Sequence, residues 1–202
     1  MNGLVQGSDG KWRCWWGTSP DIYVDYHDTE WGRPVLDDDR LYEKMCLEGF
    51  QAGLSWLTIL NKRKSFRAAF AGFRIADVAA FDERDVDRLL ADAGIVRHRG
   101  KIEAAIGNAR AALEVQESEG SLAALVWSFE PSSAPPLTMA EVLAVTPDST
   151  AMSKELKKRG FRFVGPTTMH ALMQAMGLVN EHIDGCWVRD EVEAERQAAA
   201  HP

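Results

Sequence analysis

The chain has 202 residues, of which 46% are hydrophobic and 26% charged, and its formal net charge is −7. This is the balance of an ordinary soluble globular protein, and the length suits one domain with a sizeable core. The sequence contains no apolar run of the ~20 residues that a bilayer span requires, and residues 1–11 lack the apolar stretch of a signal peptide. We therefore expect a cytoplasmic protein with no membrane partner.

Hydrophobic periodicity predicts an all-α fold, because apolar residues recur at helical spacing after a series of capping residues and the alternation of a strand is nearly absent. The predicted helices, in chain order, begin at or near Asp37, Ser55, Asp82, Ile102, Ser121, Thr138, residue 150 and Pro166. Residues 12–189 form the predicted domain. Residues 1–11 are predicted to be a flexible N-terminal extension and residues 190–202 a flexible C-terminal tail, since both are polar or Ala-rich.

The distribution of charge leaves two interpretations open. The acidic net charge argues against a nucleic-acid partner. Basic residues are nevertheless clustered at residues 62–67, 97–101 and 157–162. Each cluster fits either a solvated helix face or part of a surface that binds nucleic acid.

Four residues near the two ends of the chain are candidate metal ligands. Cys14 and His27 lie 13 positions apart, and His182 and Cys186 lie four apart. On a helix, positions i and i+4 share a face, so His182 and Cys186 could bind one ion together. Two sulfur and two nitrogen ligands suit tetrahedral zinc, and four protein ligands leave no open position for a reacting water, which makes the site structural. The spacing alone also allows four separate core residues.

Several longer segments carry a more specific signal. They are Cys14-Trp15-Trp16, YHDTEWG at residues 26–32, LEGFQAGLSW at 47–56, DAGIVRHRGKI at 92–102, NAR at 108–110, VWSF at 126–129, residues 153–165, GLVNEH at 177–182 and GC at 185–186. In this order and spacing they resemble the motifs of the DNA-3-methyladenine glycosylase I family. The resemblance runs from about Arg13 to Cys186, nearly the whole chain.

The resemblance implies a helix-hairpin-helix DNA glycosylase fold with a structural zinc that links the N- and C-terminal segments. The implied zinc ligands are Cys14, His27, His182 and Cys186. It also implies an enzyme that flips 3-methyladenine out of double-stranded alkylated DNA and hydrolyses its N-glycosidic bond in base excision repair. We expect such an enzyme to act as a monomer without a nucleotide cofactor.

The resemblance assigns catalysis and base binding to Tyr26, Glu48 and Trp56, with Trp16 also lining the base pocket. Methylation at N3 leaves the base cationic while it is attached to the sugar, and an aromatic face attracts a cation by ~0.5–2 kcal/mol. Glu48 lies on the apolar face of a predicted helix, where a carboxylate is paired, protonated or functional. We interpret it as the acceptor for the edge of the flipped base. The alternative is a buried ion pair with a nearby Lys or Arg.

Besides the segment from Gly94 to Lys101, which is a second candidate surface, two turns are predicted to bind DNA. Glycine-rich turns and helix N-termini present backbone N–H groups to phosphates. One such turn precedes a helix start, and its candidate DNA-binding residues are Arg159, Gly160, Gly165 and Thr167. The other contains Gly53 and Leu54, where Leu54 could fill the gap left by the flipped base. Ordinary core packing is the alternative for Leu54.

Two rival functions fit parts of the pattern. A zinc-stabilised module that senses damage without cleaving would keep the metal ligands but need no pocket, whereas a helical metallohydrolase would need an open metal position. Asp184 stands 19 positions after Gly165, about where many helix-hairpin-helix glycosylases carry a catalytic aspartate, but its place between two candidate metal ligands argues against that role. Phe50 stands where some relatives carry Gln, which leaves the fine base selectivity open.

Overall fold

A computed structural model of the protein describes residues 3–132 and 136–199. Within those ranges the chain is mostly helical, with one short hairpin of strands, so the all-α prediction is confirmed. The elements in chain order are β1 (Leu4–Gln6), β2 (Trp12–Cys14), α1 (Asp21–Thr29), α2 (Asp38–Gln51), α3 (Trp56–Ala69), α4 (Ile75–Ala79), α5 (Glu83–Ala91), α6 (Arg99–Glu119), α7 (Leu122–Trp127), α8 (Pro147–Lys158), α9 (Pro166–Ala175) and α10 (Arg189–Ala198). None of the helices in the described ranges combines the length and apolarity that crossing a membrane demands.

Helix α2 runs through the centre of the core. Its residues from Leu41 to Phe50 are all buried, and it contacts α3, α6, α7 and α9. Asp37 caps its N-terminus by accepting a hydrogen bond from the backbone N–H of Arg40. Phe50 packs against Phe66 of α3, with ring centroids 4.7 Å apart. Because α2 is buried on almost every side, a charged side chain on it requires a partner or a ligand.

The predicted caps hold for most helices but not at Thr138. Ser55 and Ser121 each accept a hydrogen bond from the N–H three residues further on, as the sequence predicts. The carboxylate of Glu141 does accept the N–H of Thr138, yet these residues form a turn and the prediction of a helix here is wrong. Val142 packs partly against the core, but Met139 and Leu143 are 45% and 55% exposed, so no continuous buried face forms. A segment without a buried face lacks the packing that stabilises a short helix.

Helices α8 and α9 pack together and are joined by a tight turn at residues 159–165. Asn108 of α6 holds the turn, since its side chain donates to the carbonyl of Arg162 at 3.0 Å and accepts the N–H of Arg162 at 2.8 Å. The hydroxyl of Ser153 donates to the carbonyl of Val164 at 2.6 Å. Pro166 occupies the first helical position of α9, as predicted. The chain therefore contains the predicted helix-hairpin-helix arrangement.

Both terminal segments make tertiary contacts within the described residues, while their flexibility stays a prediction. Strand β1 pairs antiparallel with β2, with Leu4 opposite Cys14. Helix α10 begins at the end of the predicted domain and occupies most of the predicted tail, and its Val192 is only 1% exposed. Arg196 of α10 donates to the carbonyl of Leu178 at 2.8 Å. Composition did not reveal these contacts because each segment is anchored by single residues among polar neighbours.

Candidate functional site

A cavity of about 650 Å³ lies between the N-terminal part of the chain and helices α2, α3 and α9. One part of its wall is aromatic, and another comes from the buried face of α9 and the segment after it. The lining residues on which the chemistry depends are Trp16, Tyr23, Tyr26, Trp31, Glu48, Gln51, Trp56, Thr167, His170, Gln174 and Glu181. An aromatic wall with a few converging polar groups is typical of a small-molecule or base-binding pocket.

The four residues predicted for the base pocket converge on this cavity. Tyr26 comes from α1, Glu48 from α2, and Trp56 from the first position of α3. The ring centroids of Tyr26 and Trp56 are 5.6 Å apart, and those of Trp16 and Tyr26 are 6.2 Å apart. The indole Nε1 of Trp56 is buried and has no hydrogen-bond partner among the described residues. It is therefore a free donor beside the cavity.

Helix α1, which carries Tyr26, was not predicted from the sequence. Its two buried residues, Tyr26 and His27, are consecutive, so they face two different sites and make no continuous apolar stripe. Tyr26 faces the cavity and His27 faces the candidate metal ligands. The lack of helical periodicity in this segment thus reflects its two roles.

Glu48 is buried, and a second buried charged residue on the same helix, a lysine, was not predicted from the sequence. Lys44 precedes Glu48 by one helical turn on α2 and is 3% exposed. Its Nζ donates to the hydroxyl of Tyr26 at 2.5 Å and lies 3.6 Å from the carboxylate of Glu30. The same Nζ lies 4.3 Å and 4.5 Å from the ring centroids of Tyr26 and Trp56. The i, i+4 spacing of Lys44 and Glu48 on one helix was the available signal.

The surroundings of Glu48 and Lys44 shift the pKa values of both side chains. Burial raises the pKa of Glu48 to about 7, against the opposing effect of Lys44. Burial lowers the pKa of Lys44 to about 8, against the opposing effects of Glu48 and Glu30. Within the described residues Glu48 makes no ion pair within 4 Å, because the Nζ of Lys44 contacts Tyr26 and Glu30 instead, and the carboxyl of Glu48 lines the cavity. A carboxylate near its midpoint at neutral pH is typical of a functional site.

Another part of the wall contains three residues that were not predicted from the sequence, His170, Gln174 and Glu181, together with Thr167, which was predicted to bind DNA. On α9, Thr167, His170 and Gln174 lie at helical spacing on the side that faces the cavity, and Glu181 follows the helix. Gln174 donates to one carboxylate oxygen of Glu181, and Nε2 of His170 lies 3.0 Å from the other. Asp184, in contrast, is exposed and does not line the cavity.

The four candidate metal ligands come together on one side of Trp16. Their ligand atoms all lie within 4.8 Å of one another, and all four residues are buried. The Sγ of Cys186 is 3.5 Å from Nε2 of His27 and 3.6 Å from Nδ1 of His182, and the Sγ of Cys14 is 4.0 Å from the same Nδ1. Bond lengths of about 2.3 Å to sulfur and 2.0 Å to nitrogen require ligand separations of this size around a tetrahedral ion. This group can therefore bind a metal ion.

The second nitrogen of each histidine is also bonded. Nδ1 of His27 is 2.8 Å from a carboxylate oxygen of Asp28, and Nε2 of His182 is 3.0 Å from the carbonyl oxygen of Trp31. Such contacts fix the ring orientation that a metal requires. The interaction with Cys14, together with both histidines, holds the pKa of the Cys186 thiol well below its usual range.

One part of the metal prediction is wrong. His182 and Cys186 lie in a turn before α10, not on a helix. The turn brings them together because the N–H of Cys186 bonds to the carbonyl of Ile183 and Gly185 has a φ of +81°. A metal ion here would link the end of β2, helix α1 and this turn.

The two turns predicted to bind DNA lie at the same end of α2. Gly53 has a φ of +81° and Leu54 is 43% exposed, so core packing of Leu54 is wrong. The α8–α9 turn is close by, because an added Cβ on Gly49 would lie 3.2 Å from the Cβ of Phe163 in that turn. Gly160 has a φ of +89°.

The basic clusters are largely engaged within the protein. Arg159 pairs with Glu119 and Glu155 at 2.7 Å each. Lys101 is buried and donates to the carbonyls of Phe50 and Ala52. The charge of Arg159 is thus compensated within the chain, and Lys101 is held by backbone carbonyls. Phe50 packs in the core and does not line the cavity.

Comparisons with known proteins agree with this geometry. The family profile described as "Methyladenine glycosylase" matches residues 15–190. The chain is 51% identical over 177 residues to "DNA-3-methyladenine glycosylase 1" of Escherichia coli (strain K12), which covers 86% of this chain and 95% of that protein. A crystal structure of 3-methyladenine DNA glycosylase I superposes with a TM-score of 0.83 at 49% identity, covering 87% of this chain and 98% of that one. A structure of the Staphylococcus aureus 3-methyladenine DNA glycosylase I, described for its recognition of 3-methyladenine, has a TM-score of 0.83 at 36% identity, with coverages of 88% and 96%.

Proposed function

The chain belongs to the methyladenine glycosylase family, and on that premise we propose that it excises 3-methyladenine from alkylated DNA. It is a DNA-3-methyladenine glycosylase, which hydrolyses the N-glycosidic bond, releases the free base and leaves an abasic site for base excision repair. The observation that carries this function is the convergence of Tyr26, Glu48 and Trp56 on one cavity. A module that only senses damage would not need an acidic aromatic pocket.

Binding begins with extraction of the base, which costs a few kcal/mol of lost stacking. The rings of Tyr26, Trp56 and Trp16 replace that stacking and favour a cation over neutral adenine. Glu48 accepts hydrogen bonds from the edge of the base, and its charge complements that of the methylated ring. The buried N–H of Trp56 is a further donor for the purine. These roles are proposals that the geometry supports.

Cleavage needs little acid catalysis because the leaving base is already cationic. The electron pair of the bond between the sugar and the base moves onto the purine, which departs as a neutral molecule. A water molecule adds to the sugar carbon and releases its proton to solvent. The protein contributes by holding the cation in a fixed electrostatic environment and by excluding undamaged bases. Lys44 keeps Glu48 partly ionised at neutral pH by opposing the effect of burial.

The DNA contacts follow from the two turns at the end of α2. We propose that Leu54 enters the space left by the flipped base and that backbone groups near Gly53, Gly160, Gly165 and Thr167 bind phosphates. Arg159 contributes less than predicted, since two glutamates already hold it. The duplex form of the substrate, the monomeric state and the cytoplasmic location stay predictions from the sequence.

The metal bound by Cys14, His27, His182 and Cys186 is proposed to be zinc with a structural role. Two sulfur and two nitrogen ligands match its preference and leave no position for a reacting water. The ring of Trp16 lies 5.1 Å from that of His27 and also lines the cavity. The metal thereby supports the pocket without taking part in the reaction.

Release of free 3-methyladenine from methylated duplex DNA tests the function directly. We expect release by the wild type and a strong loss with Glu48→Gln. Glu43→Gln is the matched control, because Glu43 is equally buried on α2 but pairs with Arg40 and Arg67 outside the cavity. Binding of methylated DNA without base release by the wild type would instead favour the sensing module.

A further inference from the structure

The cavity contains a second buried carboxylate, that of Glu181, in the segment between α9 and α10. Glu181 lines the cavity and is only 7% exposed. Gln174 donates from Nε2 to one of its oxygens, and Nε2 of His170 lies 3.0 Å from the other. Gln174 of α9 therefore holds the carboxylate at the cavity wall, and the ring of His170 lies beside it.

Among the described residues, no lysine or arginine lies within ion-pair distance of this carboxylate. Within the described part of the chain, the group at ion-pair distance from Glu181 is His170, and Gln174 is neutral. Glu48, in contrast, has Lys44 one helical turn away. Burial of a carboxylate is costly unless a counter-charge or a metal compensates it. A cationic ligand in the cavity would supply the missing charge.

The histidine beside Glu181 is also incompletely bonded. His170 is 2% exposed and lines the same cavity. Although its Nε2 is close to Glu181, neither ring nitrogen makes a hydrogen bond of acceptable geometry within the described residues. Buried polar groups without partners are rare in folded proteins. This wall is therefore built for a polar ligand and does not serve only to pack the core.

Resting on the proposed function, we propose that Glu181 is a second recognition carboxylate, which selects the cationic form of the flipped base, and that Gln174 is the positioning residue that holds it. The methylated base is positively charged while attached to the sugar and neutral once released. A second carboxylate thus favours the damaged base over undamaged adenine. It also loses its attraction for the product when the bond breaks, which helps the free base to leave.

The test compares two small ligands that differ in charge and by one methyl group, and each is measured with the wild type and with the variant. One is neutral 3-methyladenine, and the other is the permanent cation formed by methylating it at N9, where the sugar is attached in DNA. Their affinities are measured through quenching of tryptophan fluorescence in the cavity. We expect Glu181→Gln to weaken binding of the cation about tenfold and binding of the neutral base less than about twofold, since it removes a charge and keeps the shape. Glu181→Asp should keep the preference for the cation.

Asp184→Asn is the matched control, because Asp184 lies in the same turn but is exposed outside the cavity. It should leave both affinities unchanged. Equal weakening of both ligands by Glu181→Gln, or no weakening for the cation, overturns the proposal. If Glu181→Gln loses its metal or fails to fold, the test is made on the wild type by NMR. The carboxyl carbon resonance of Glu181 must then shift when the cation is added, and an unchanged resonance refutes the recognition role of Glu181. Failure of the wild type to release base from methylated DNA would instead overturn the proposed function.

Discussion

The ionisation of Glu48 leads to a pH dependence of base excision that follows from its surroundings. Burial raises the pKa of this carboxyl to about 7, against the opposing positive charge of Lys44. The ionised form binds the cationic base, so excision should increase with pH as the carboxyl loses its proton. An acid of this pKa is about one eleventh ionised at pH 6 and about ten elevenths ionised at pH 8, so we expect a roughly tenfold rise in rate.

The assay is single-turnover release of 3-methyladenine from methylated duplex DNA between pH 5.5 and 8.5. Single turnovers report the steps up to cleavage and exclude product release. DNA without enzyme runs in parallel at each pH, because the cationic base is also lost spontaneously. The methylated base carries a fixed charge, so the substrate itself contributes no titration in this window.

Two variants test whether Glu48 is the group whose ionisation causes the pH dependence of the rate. Glu48→Gln should lower the rate by about 10- to 100-fold, the scale of a lost hydrogen bond to a charged group, and should remove the rise near pH 7. Lys44, whose pKa is lowered to about 8, still titrates at the upper end of the window. Lys44→Met removes the charge that opposes the effect of burial, so the rise should move to higher pH. A wild-type rate that does not change with pH, or a rise that persists in Glu48→Gln, would refute the assignment.

Two further predictions concern the metal and the DNA surface. Removal of the metal by a chelator, or Cys186→Ala, should lower the melting temperature measured by calorimetry by about 10 °C or more, because structural zinc sites contribute on the order of 10 kcal/mol. Cys46→Ala is the control, because Cys46 is equally buried but lies outside the metal group, and it should lower the melting temperature much less. Equal effects of the two substitutions would contradict the metal site. Leu54→Ala should leave the melting temperature nearly unchanged, since Leu54 is 43% exposed, and should weaken binding to lesion-containing duplex about tenfold. Leu36→Ala, at the other end of α2 and 36% exposed, is its control in a fluorescence anisotropy titration, and an equal affinity of both variants would remove Leu54 from the interface.

The local features of the fold could be predicted from the sequence because they depend on neighbours in the chain. Asp37, Ser55 and Ser121 each cap a helix through a bond to the third residue onward, which needs no distant partner. Thr138 shows the limit of that reasoning, since its capping bond forms but no buried face follows to hold a helix. The convergence of Tyr26, Glu48 and Trp56 was expected only from the family resemblance.

The tertiary structure decided which charges face each other, because this depends on how helices pack and not on periodicity. Lys44 of α2 donates a hydrogen bond to Tyr26 of α1. Arg159 pairs with Glu119 of α6, 40 positions away, so the charge of a basic cluster that suggested a DNA contact is partly neutralised. Glu181 became part of the cavity because α9 presents Gln174 and His170 to it. Charge runs and capping motifs can be identified along the chain, but the counter-ion of a buried group comes from another element, and only the packing of those elements determines which one it is.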